Sequence, residues 1–395
     1  MPRKSDYPKK LDNSRWLIRW REGGHHRQRT FATEREAKTY LANFTVSRSR
    51  GEVFDSSRGR MTVDEWWPQF LASFEHPPRP TTLAAYRKWF ELYIGSGGTS
   101  TSPKALPPSE SLGRIPLNAL TPERVASWRG ALRNRGAGES TVYHATQLLR
   151  TMLNRAIDFD VIARSPARAI RNRPPKPLAA RALEPEELRA LADAHPERFR
   201  AAVYVMGFRG LRIGELAALR TDDLDLMRGG LRVDENLVEV SGKVIIGPPK
   251  TSEGNRTISL PPFLRDILAE HLAAFSSPTN PRAFVFTSPE GGPLRPGNYR
   301  RRVFDPAVRA AGLSWRPTPH NLRDTCATMM LTAGADVVEV ARLMGHTDPS
   351  VTLRRYAAVL ESRRSRTDER LDEMYHSTGS VAATSADVVE IGSAR

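Results

Sequence analysis

The chain has 395 residues, with 60 Lys or Arg against 44 Asp or Glu, a formal net charge of +16, a pI near 10.4 and a single cysteine. That length accommodates two or three domains with real cores and excludes a lone small module; the charge points to a polyanionic partner, which by charge alone could be nucleic acid, an acidic membrane surface or an acidic protein. No apolar run approaches the roughly 20 residues that span a bilayer, MPRKSDYPKK lacks the apolar stretch of a secretory signal, and lone Cys326 permits neither a disulfide framework nor a Cys-based zinc site. A soluble protein of the reducing cytoplasm, without a membrane partner, is therefore the simplest expectation.

The first 60 residues hold 15 Lys or Arg against 7 Asp or Glu, a local +8 that is half the net charge. Within RWLIRWREGGHHRQRTF, Trp16, Ile18 and Trp20 alternate with Leu17, Arg19 and Arg21, the period of a half-buried strand, and Gly23 and Gly24 turn the chain into a second strand carrying Arg27 and Arg29. Thr33 and Glu36 then form a capping box ahead of a helix bearing Ala37, Tyr40, Leu41 and Phe44. Such a sheet on one helix is either an ordinary solvated basic surface or, through Arg19, Arg21, Arg27 and Arg29, a nucleic-acid surface.

A helical unit follows. Thr62 and Glu65 cap TVDEWWPQFLASF; TTLAAYRKWFELYI places Leu83, Tyr86 and Phe90 at helical spacing; Thr121 and Pro122 open TPERVASWRGAL; STVYHATQLLRTMLNRAI closes the set. Between the second and third of these lies GSGGTSTSPKALPPSES, whose Gly, Ser and Pro content predicts an unpacked surface loop. The unit ends in RSPARAIRNRPPKP, a basic, proline-rich linker suited to a phosphate backbone or simply to solvent.

From Leu183 a third and largest unit opens with the helix EPEELRALADA. Strands are predicted at LRVDENLVEV, KVIIGPPK and RTISLP, the last two joined by the turn TSEGN, with helices resuming after Pro261. ESRRSRTDERLDEMYHS reads as helical and could dock on a neighbouring protomer or on its own domain; residues 376–395 read as a flexible tail. Four segments of this unit stand out: RGLRIGEL around Arg212, PHNLR with His320 and Arg323, LMGH ending in His346, and RRYA containing Tyr356. Taken singly, Arg212 would be a structural ion pair, His346 a helix-end cap and Tyr356 a half-buried aromatic.

Their order and spacing over residues 204–360 resemble the active-site boxes of the tyrosine recombinase (phage integrase) family, in which an Arg of a GLRxGEL-like helix start is followed by HxLR, a GH pair and a Tyr about ten residues on. Lys250 stands where that family keeps a catalytic lysine, at the edge of a hairpin; the helical unit ending in SPAR is similar to a core-DNA-binding domain, and the basic sheet to an arm-binding domain. Departures are few: Arg209 and Gly210 stand where a small residue or Thr is common, and Asp324 and Cys326 where His and Phe are common. The resemblance implies a multidomain, mainly α fold with small β-sheets: residues 1–60 an arm-type DNA-binding domain of sheet plus helix, 61–173 a helical core-DNA-binding domain, 174–375 a mixed α+β catalytic domain, then the tail. It also implies a homotetramer acting on double-stranded DNA attachment sites, with accessory directionality proteins and host DNA-bending proteins as further partners.

The residue types suit that chemistry. Displacing an oxygen from a phosphodiester needs a nucleophile, charge stabilisation on the non-bridging oxygens and a proton for the leaving group. Tyr356, with an ordinary pKa of about 10, needs nearby positive charge and a base, for which His320 is the natural acceptor. Arg212 and Arg323 can fork phosphate oxygens in place of a metal. His346 would hydrogen-bond a phosphate oxygen or assist proton transfer, Lys250 would protonate the leaving 5′ oxygen, and Glu215, at i+3 from Arg212, would fix that side chain. No Walker A loop, HExxH or paired Cys cluster competes, and a phosphotyrosine link preserves the energy of the broken bond, so no cofactor, ATP or Mg²⁺ is expected. Cys326, among the apolar residues of TCATMMLT and without a cationic neighbour, reads as structural. Rival readings are a type IB topoisomerase, against which the basic N-terminal sheet argues, and a DNA-binding protein that has lost the chemistry, against which the intact boxes argue.

Overall fold

The alternation that begins at Trp16 gives, in a computed structural model of the chain, an antiparallel sheet of β1 (Lys9–Lys10), β2 (Trp16–Glu22) and β3 (His25–Phe31), in that order. The structure describes the chain apart from residues 1–7, 12–14, 23–24, 50–57, 98–101, 103–104, 177–178, 250–251, 277–279, 281, 358, 361–370 and 377–395. Two units, Met1–Lys176 and Pro177–Arg395, each hold their own contacts. The expected C-terminal tail, His376 excepted, lies outside the described residues, as does most of the segment before it, of which residues 371–376 are helical.

In the first unit the register pairs Ile18 with Arg29, Arg19 with Gln28 and Trp20 with Arg27. Directly paired residues share a face, so positions 19 and 21 fall on one side of the sheet and 27 and 29 on the other. Positions 27 and 29, both arginine, thus share a face with positions 18 and 20, so the alternation along β2 does not sort the sheet into one apolar and one basic face. Helix α1 (Glu34–Ser49), whose Glu36 amide donates to Thr33 Oγ1 at 3.2 Å, packs on this sheet, with Tyr40 5.1 Å from Phe31, ring to ring. Arg29 lays its guanidinium over the same Tyr40 ring at 5.1 Å, a cation–π contact.

The rest of this unit is helical: α2 (Val63–Ala72), α3 (Pro80–Trp89) continuing as a π turn over Phe90–Ile94, α4 (Pro122–Asn134) and α5 (Glu139–Asp158). The predicted caps form. Glu65 N donates to Thr62 Oγ1 at 3.2 Å and Thr62 N to Glu65 Oε2 at 2.8 Å, while Arg124 N donates to Thr121 Oγ1 at 3.3 Å. Both tryptophans at the centre satisfy their indoles on distant carbonyls, Trp66 Nε1 on Met152 O at 3.0 Å and Trp128 Nε1 on Tyr93 O at 2.6 Å. Contrary to expectation, the described part of the Gly- and Ser-rich loop is packed: Leu106 enters the core and donates its amide to Leu92 O, and Ser96 binds Asp64. Leu106 anchors the segment by burying its side chain, while Gly97 and Pro108 to Glu110 stay exposed.

The second unit starts with α6 (Pro185–Asp193), α7 (Glu197–Arg209) and α8 (Ile213–Ala218). Strands β4 (Leu224–Asp225), β5 (Gly230–Val233), β6 (Asn236–Val240), β7 (Lys243–Gly247) and β8 (Arg256–Ser259) follow, arranged as a β4-β5-β8 sheet and a separate β6-β7 hairpin. Then come α9 (Pro262–Phe275), α10 (Pro296–Tyr299), α11 (Asp305–Ala310), α12 (Pro319–Thr332), α13 (Val337–Met344) and α14 (Pro349–Arg355). Here the sequence reading needs two corrections. The single strand expected over LRVDENLVEV breaks at Asp234 and Glu235, because Asp234 pairs with Arg232 and Glu235 with Arg220 and Arg282, which draws the chain out of the ladder. The segments flanking TSEGN pair with β6 and β5 respectively instead of with each other. Ser241 and Gly242, with φ of 50° and 77°, make the two-residue turn that closes the β6-β7 hairpin, positive φ at both positions matching the twist of the strands. Helix α12 packs on α7 through the main core, and no described helix is long and apolar enough to cross a membrane.

Replacing Trp128 with Phe removes the donor to the buried Tyr93 carbonyl, a loss of about 1–3 kcal/mol, and adds the cost of the space left by the smaller ring. Urea unfolding of the Trp128→Phe protein should show a lower midpoint, and an unchanged midpoint would mean that this bond contributes nothing.

Candidate active site

Arg212 precedes the first turn of α8, and Glu215 on that turn folds back on it. The Glu215 carboxylate accepts from Arg212 N at 3.0 Å and from Arg212 Nη1 at 2.6 Å. It also accepts from Arg256 Nη2 at 3.0 Å, while Arg256 Nε donates to Leu343 O at 2.7 Å and Nη1 to Gly254 O at 3.0 Å. With its side chain 2% exposed, Glu215 would be raised by burial, but the Arg256 and Arg212 charges and hydrogen bonds bring its carboxyl below the ordinary value. A fully charged carboxylate thus holds two guanidiniums whose neighbours are also cationic.

Helix α12 supplies His320, Arg323 and Asp324. Arg323 is buried and donates through Nη1 to Gly210 O at 2.5 Å and through Nη2 to Met344 O, so it is fixed by the carbonyls that end α7 and α13. Burial, followed by the Arg212 charge, lowers its pKa to about 10, and it stays protonated at neutral pH. His320, on the first turn, is exposed and its ring makes no hydrogen bond among the described residues. Loss of water around the ring lowers its pKa; Asp324 opposes this, and Arg355, Arg323 and Arg212 add to it.

Tyr356 caps the end of α14 and is 2% exposed. Its hydroxyl, expected to meet His320, donates to Asp324 Oδ1 at 2.8 Å. Asp324, 1% exposed, also takes Arg355 Nε and Nη2 on its two oxygens, each at 2.7 Å. Burial first, then the Asp324 charge and hydrogen bond, push the phenol well above its ordinary pKa, with Arg355 opposing. Asp324 and Arg355 were not singled out as functional; the only signal in the sequence was an aspartate where the resemblance leads one to expect His.

Gly345 ends α13 at φ 60°, a conformation that costs other residues strain, and a Cβ there would come within 2.9 Å of Glu253 O. The GH pair is therefore a close approach of the Ser252–Gly254 turn followed by a placed imidazole. His346 Nδ1 shares a 2.8 Å hydrogen bond with Thr352 Oγ1, which leaves Nε2 for a partner. Burial and the charges of Arg323, Arg212, Arg355 and Arg256 drive its pKa down to about 4, so the ring is neutral. A cavity of about 450 Å³ is lined by Arg212, Glu215, Asn236, Pro249, Gly254 and His346, among others, but not by Tyr356. Lys250 lies outside the described residues, although Pro249 beside it lines this cavity.

Arg212, Arg256, Arg323 and Arg355 set against Glu215 and Asp324 leave a surplus of two positive charges with both histidines' pKa values depressed, an arrangement that can hold a phosphate diester. Cys326, contrary to the sequence reading, does have cationic neighbours in Arg209, Arg323 and Arg256, yet burial dominates and pushes its thiol up to about 12. Among the described residues no group of three or more His, Cys, Asp or Glu is placed to hold a metal ion.

Guanidiniums gathered with two histidines and a tyrosine suit a class of protein, the enzymes that break and rejoin DNA strands through tyrosine. The phage integrase family model matches residues 181–363. The integrase of Mycobacterium phage D29 is 28% identical over 341 residues, covering 83% of this chain and 88% of the relative. The tyrosine recombinase XerC of Methylobacterium sp. (strain 4-46) is 30% identical over 304 residues, covering 72% and 85%. Among solved structures, the integrase of transposon Tn1549 in complex with transposon right end DNA superposes with a TM-score of 0.63 at 21% identity, covering 78% of this chain and 99% of that one. The chain belongs to the phage integrase family of tyrosine recombinases.

Two measurements probe the site without DNA. Glu215→Ala leaves Arg212 and Arg256 unpaired against each other and should lower stability by about 3–5 kcal/mol in chemical denaturation; a loss under about 1 kcal/mol would show the carboxylate to be dispensable. His346 has a folded-state pKa of about 4 against an ordinary value of 6.5, so the unfolded chain takes up the proton first. The stability it contributes is complete above about 6.5 and is lost as pH falls towards about 4. In calorimetry, His346→Gln should therefore lose less Tm than wild type across that window, and equal losses would contradict the assignment.

Proposed function

We propose that the chain is a site-specific DNA recombinase that integrates or excises a mobile element by cutting and rejoining double-stranded DNA at attachment sites through a 3′-phosphotyrosine link at Tyr356. The observation that carries this reading is the cluster of four arginines against two carboxylates that gathers Arg212, Arg323 and His346 with a tyrosine whose hydroxyl is engaged by one of those carboxylates. Arg212 and Arg323 grip the non-bridging oxygens; each terminal nitrogen of Arg323 keeps a second hydrogen after bonding its carbonyl. His346 donates from Nε2 to a phosphate oxygen, and His320, with no hydrogen-bond partner among the described residues, is left free to do the same. Lys250 protonates the leaving 5′ oxygen, and Glu215 positions Arg212.

The same reading takes the active form to be a homotetramer in the cytoplasm, bridging two DNA sites with accessory directionality and DNA-bending proteins. Arg19, Arg21, Arg27 and Arg29 contact phosphates of a second class of site.

Suicide-nicked duplexes carrying an attachment site, sought as direct repeats in the DNA on either side of the gene, should trap wild-type protein covalently, with trapping lost in Tyr356→Phe and reduced at least about 100-fold in Arg212→Ala. Equal trapping by Tyr356→Phe would remove the nucleophile from the proposal. Paired sites should yield recombinant junctions; relaxation of any supercoiled plasmid regardless of sequence, with no junctions, would favour a topoisomerase.

A further inference from the structure

The expected chemistry does not account for Asp324. It is a buried carboxylate on the helix that carries His320 and Arg323, and its two oxygens accept three hydrogen bonds, two from Arg355 and one from the hydroxyl of Tyr356. We propose that Asp324 is a further catalytic residue, the group that receives the Tyr356 proton as that oxygen attacks phosphorus, with Arg355 as the positioning residue that holds the carboxylate. This rests on Tyr356 being the nucleophile.

Geometry favours Asp324 over His320. A proton acceptor must lie within hydrogen-bond reach of the proton it removes, and Asp324 Oδ1 is 2.8 Å from the phenol oxygen, whereas the His320 ring makes no hydrogen bond among the described residues. Asp324 lies one turn beyond His320 and next to Arg323, so a phosphate held by those two residues arrives on the same stretch of α12. The atoms balance. The Tyr356 Oη–P bond forms and the P–O5′ bond breaks, the Oη proton passes to Asp324 Oδ1, and the leaving 5′ oxygen takes its proton from Lys250. Rejoining reverses each transfer, and Asp324 returns its proton to the phenolate. As the negative charge leaves the carboxylate for the phenol oxygen, Arg355 remains beside both, so no charge is stranded in a buried place. Before DNA arrives the same contact keeps the phenol protonated, because a neighbouring carboxylate opposes ionisation; transfer becomes downhill only when bonding to phosphorus removes the oxygen's affinity for its proton.

The test is the single-turnover rate of covalent trapping on the suicide duplexes, from pH 5.5 to 9.5, for full-length wild type, Asp324→Asn and Asp324→Glu, with DNA retention measured by gel shift on the same samples. Wild type should show no climb with hydroxide over that range. Asp324→Asn should fall about 100-fold or more at pH 7 and then climb about tenfold per pH unit as hydroxide takes over the proton. Asp324→Glu should stay level and within about tenfold of wild type. The proposal is overturned if Asp324→Asn matches wild type, if it cleaves faster and the carboxylate is only a latch, or if it slows by one factor at every pH with DNA retained and the carboxylate is only a pin. Should the variants not fold, a fluorinated tyrosine at 356 in the otherwise unaltered chain decides: a level profile supports transfer to Asp324, and a profile displaced to lower pH by the greater acidity of the phenol overturns it. A wild type that traps no DNA, or Tyr356→Phe trapping as much as wild type, instead overturns the nucleophile reading and takes the Asp324 assignment with it.

Discussion

The second unit depends on one buried carboxylate. Glu215 accepts from Arg212 on its own helix and from Arg256 at the start of β8, and Arg256 goes on to the carbonyl of Leu343 near the end of α13. Taking a carboxylate out of water is costly unless charge and hydrogen bonds compensate it, and removing one partner of such a set exposes the full penalty. Glu215 can therefore be satisfied only when α8, β8 and α13 occupy their places together. The three elements come from stretches of chain far apart in sequence, and their meeting point is the wall of the cavity. Folding and assembly of the site are in this sense a single event.

Once assembled, the cluster is electrostatically frustrated. Arg323 is held by backbone carbonyls instead of a carboxylate, its pKa is reduced to about 10, and His346 stays neutral at neutral pH because burial disfavours the charged ring and the arginines around it add their repulsion. An anion bound beside Arg212 and His346 would relieve the repulsion between them. Two carboxylates against four guanidiniums give enough compensation to fold and leave enough positive charge to attract a phosphate diester. A neutral His346 fits this balance: it can donate one hydrogen bond without adding further charge to an already repulsive site.

Local chemistry was legible in the sequence and long-range pairing was not. The caps at Thr33, Thr62 and Thr121 and the contact between Arg212 and Glu215 are interactions over three residues, and they form as the spacing predicts. The strand over residues 231–240 was misread because its interruption depends on Glu235 meeting Arg220 and Arg282, neither of them close in the chain, and the pairing around TSEGN was misread because register is a property of two strands together. Asp324 escaped for the same reason. Its partners lie 31 and 32 residues downstream, and nothing in HNLRDT says that α14 will bring a phenol and a guanidinium to it. Cys326 shows the converse error: its cationic neighbours were invisible, but the burial that outweighs them was evident from the apolar residues around it.

The nucleophilic role proposed for Tyr356 poses a problem of restraint, since positive charge alone would favour the phenolate and make it reactive towards any phosphodiester that approached. Three features of the chain oppose that. Tyr356 is buried away from the cavity, its hydroxyl donates to an anion, and the nearest guanidinium, Arg355, is engaged by that same anion. The short α14 joins the phenol to the Thr352 that fixes His346, so any shift of this helix that brings Tyr356 towards a phosphate also acts on the imidazole that would bind it. Under the proposed reaction, restraint and readiness are then two states of one contact: the carboxylate that keeps the proton on Tyr356 in the free protein is the group positioned to remove it once phosphorus competes for the oxygen.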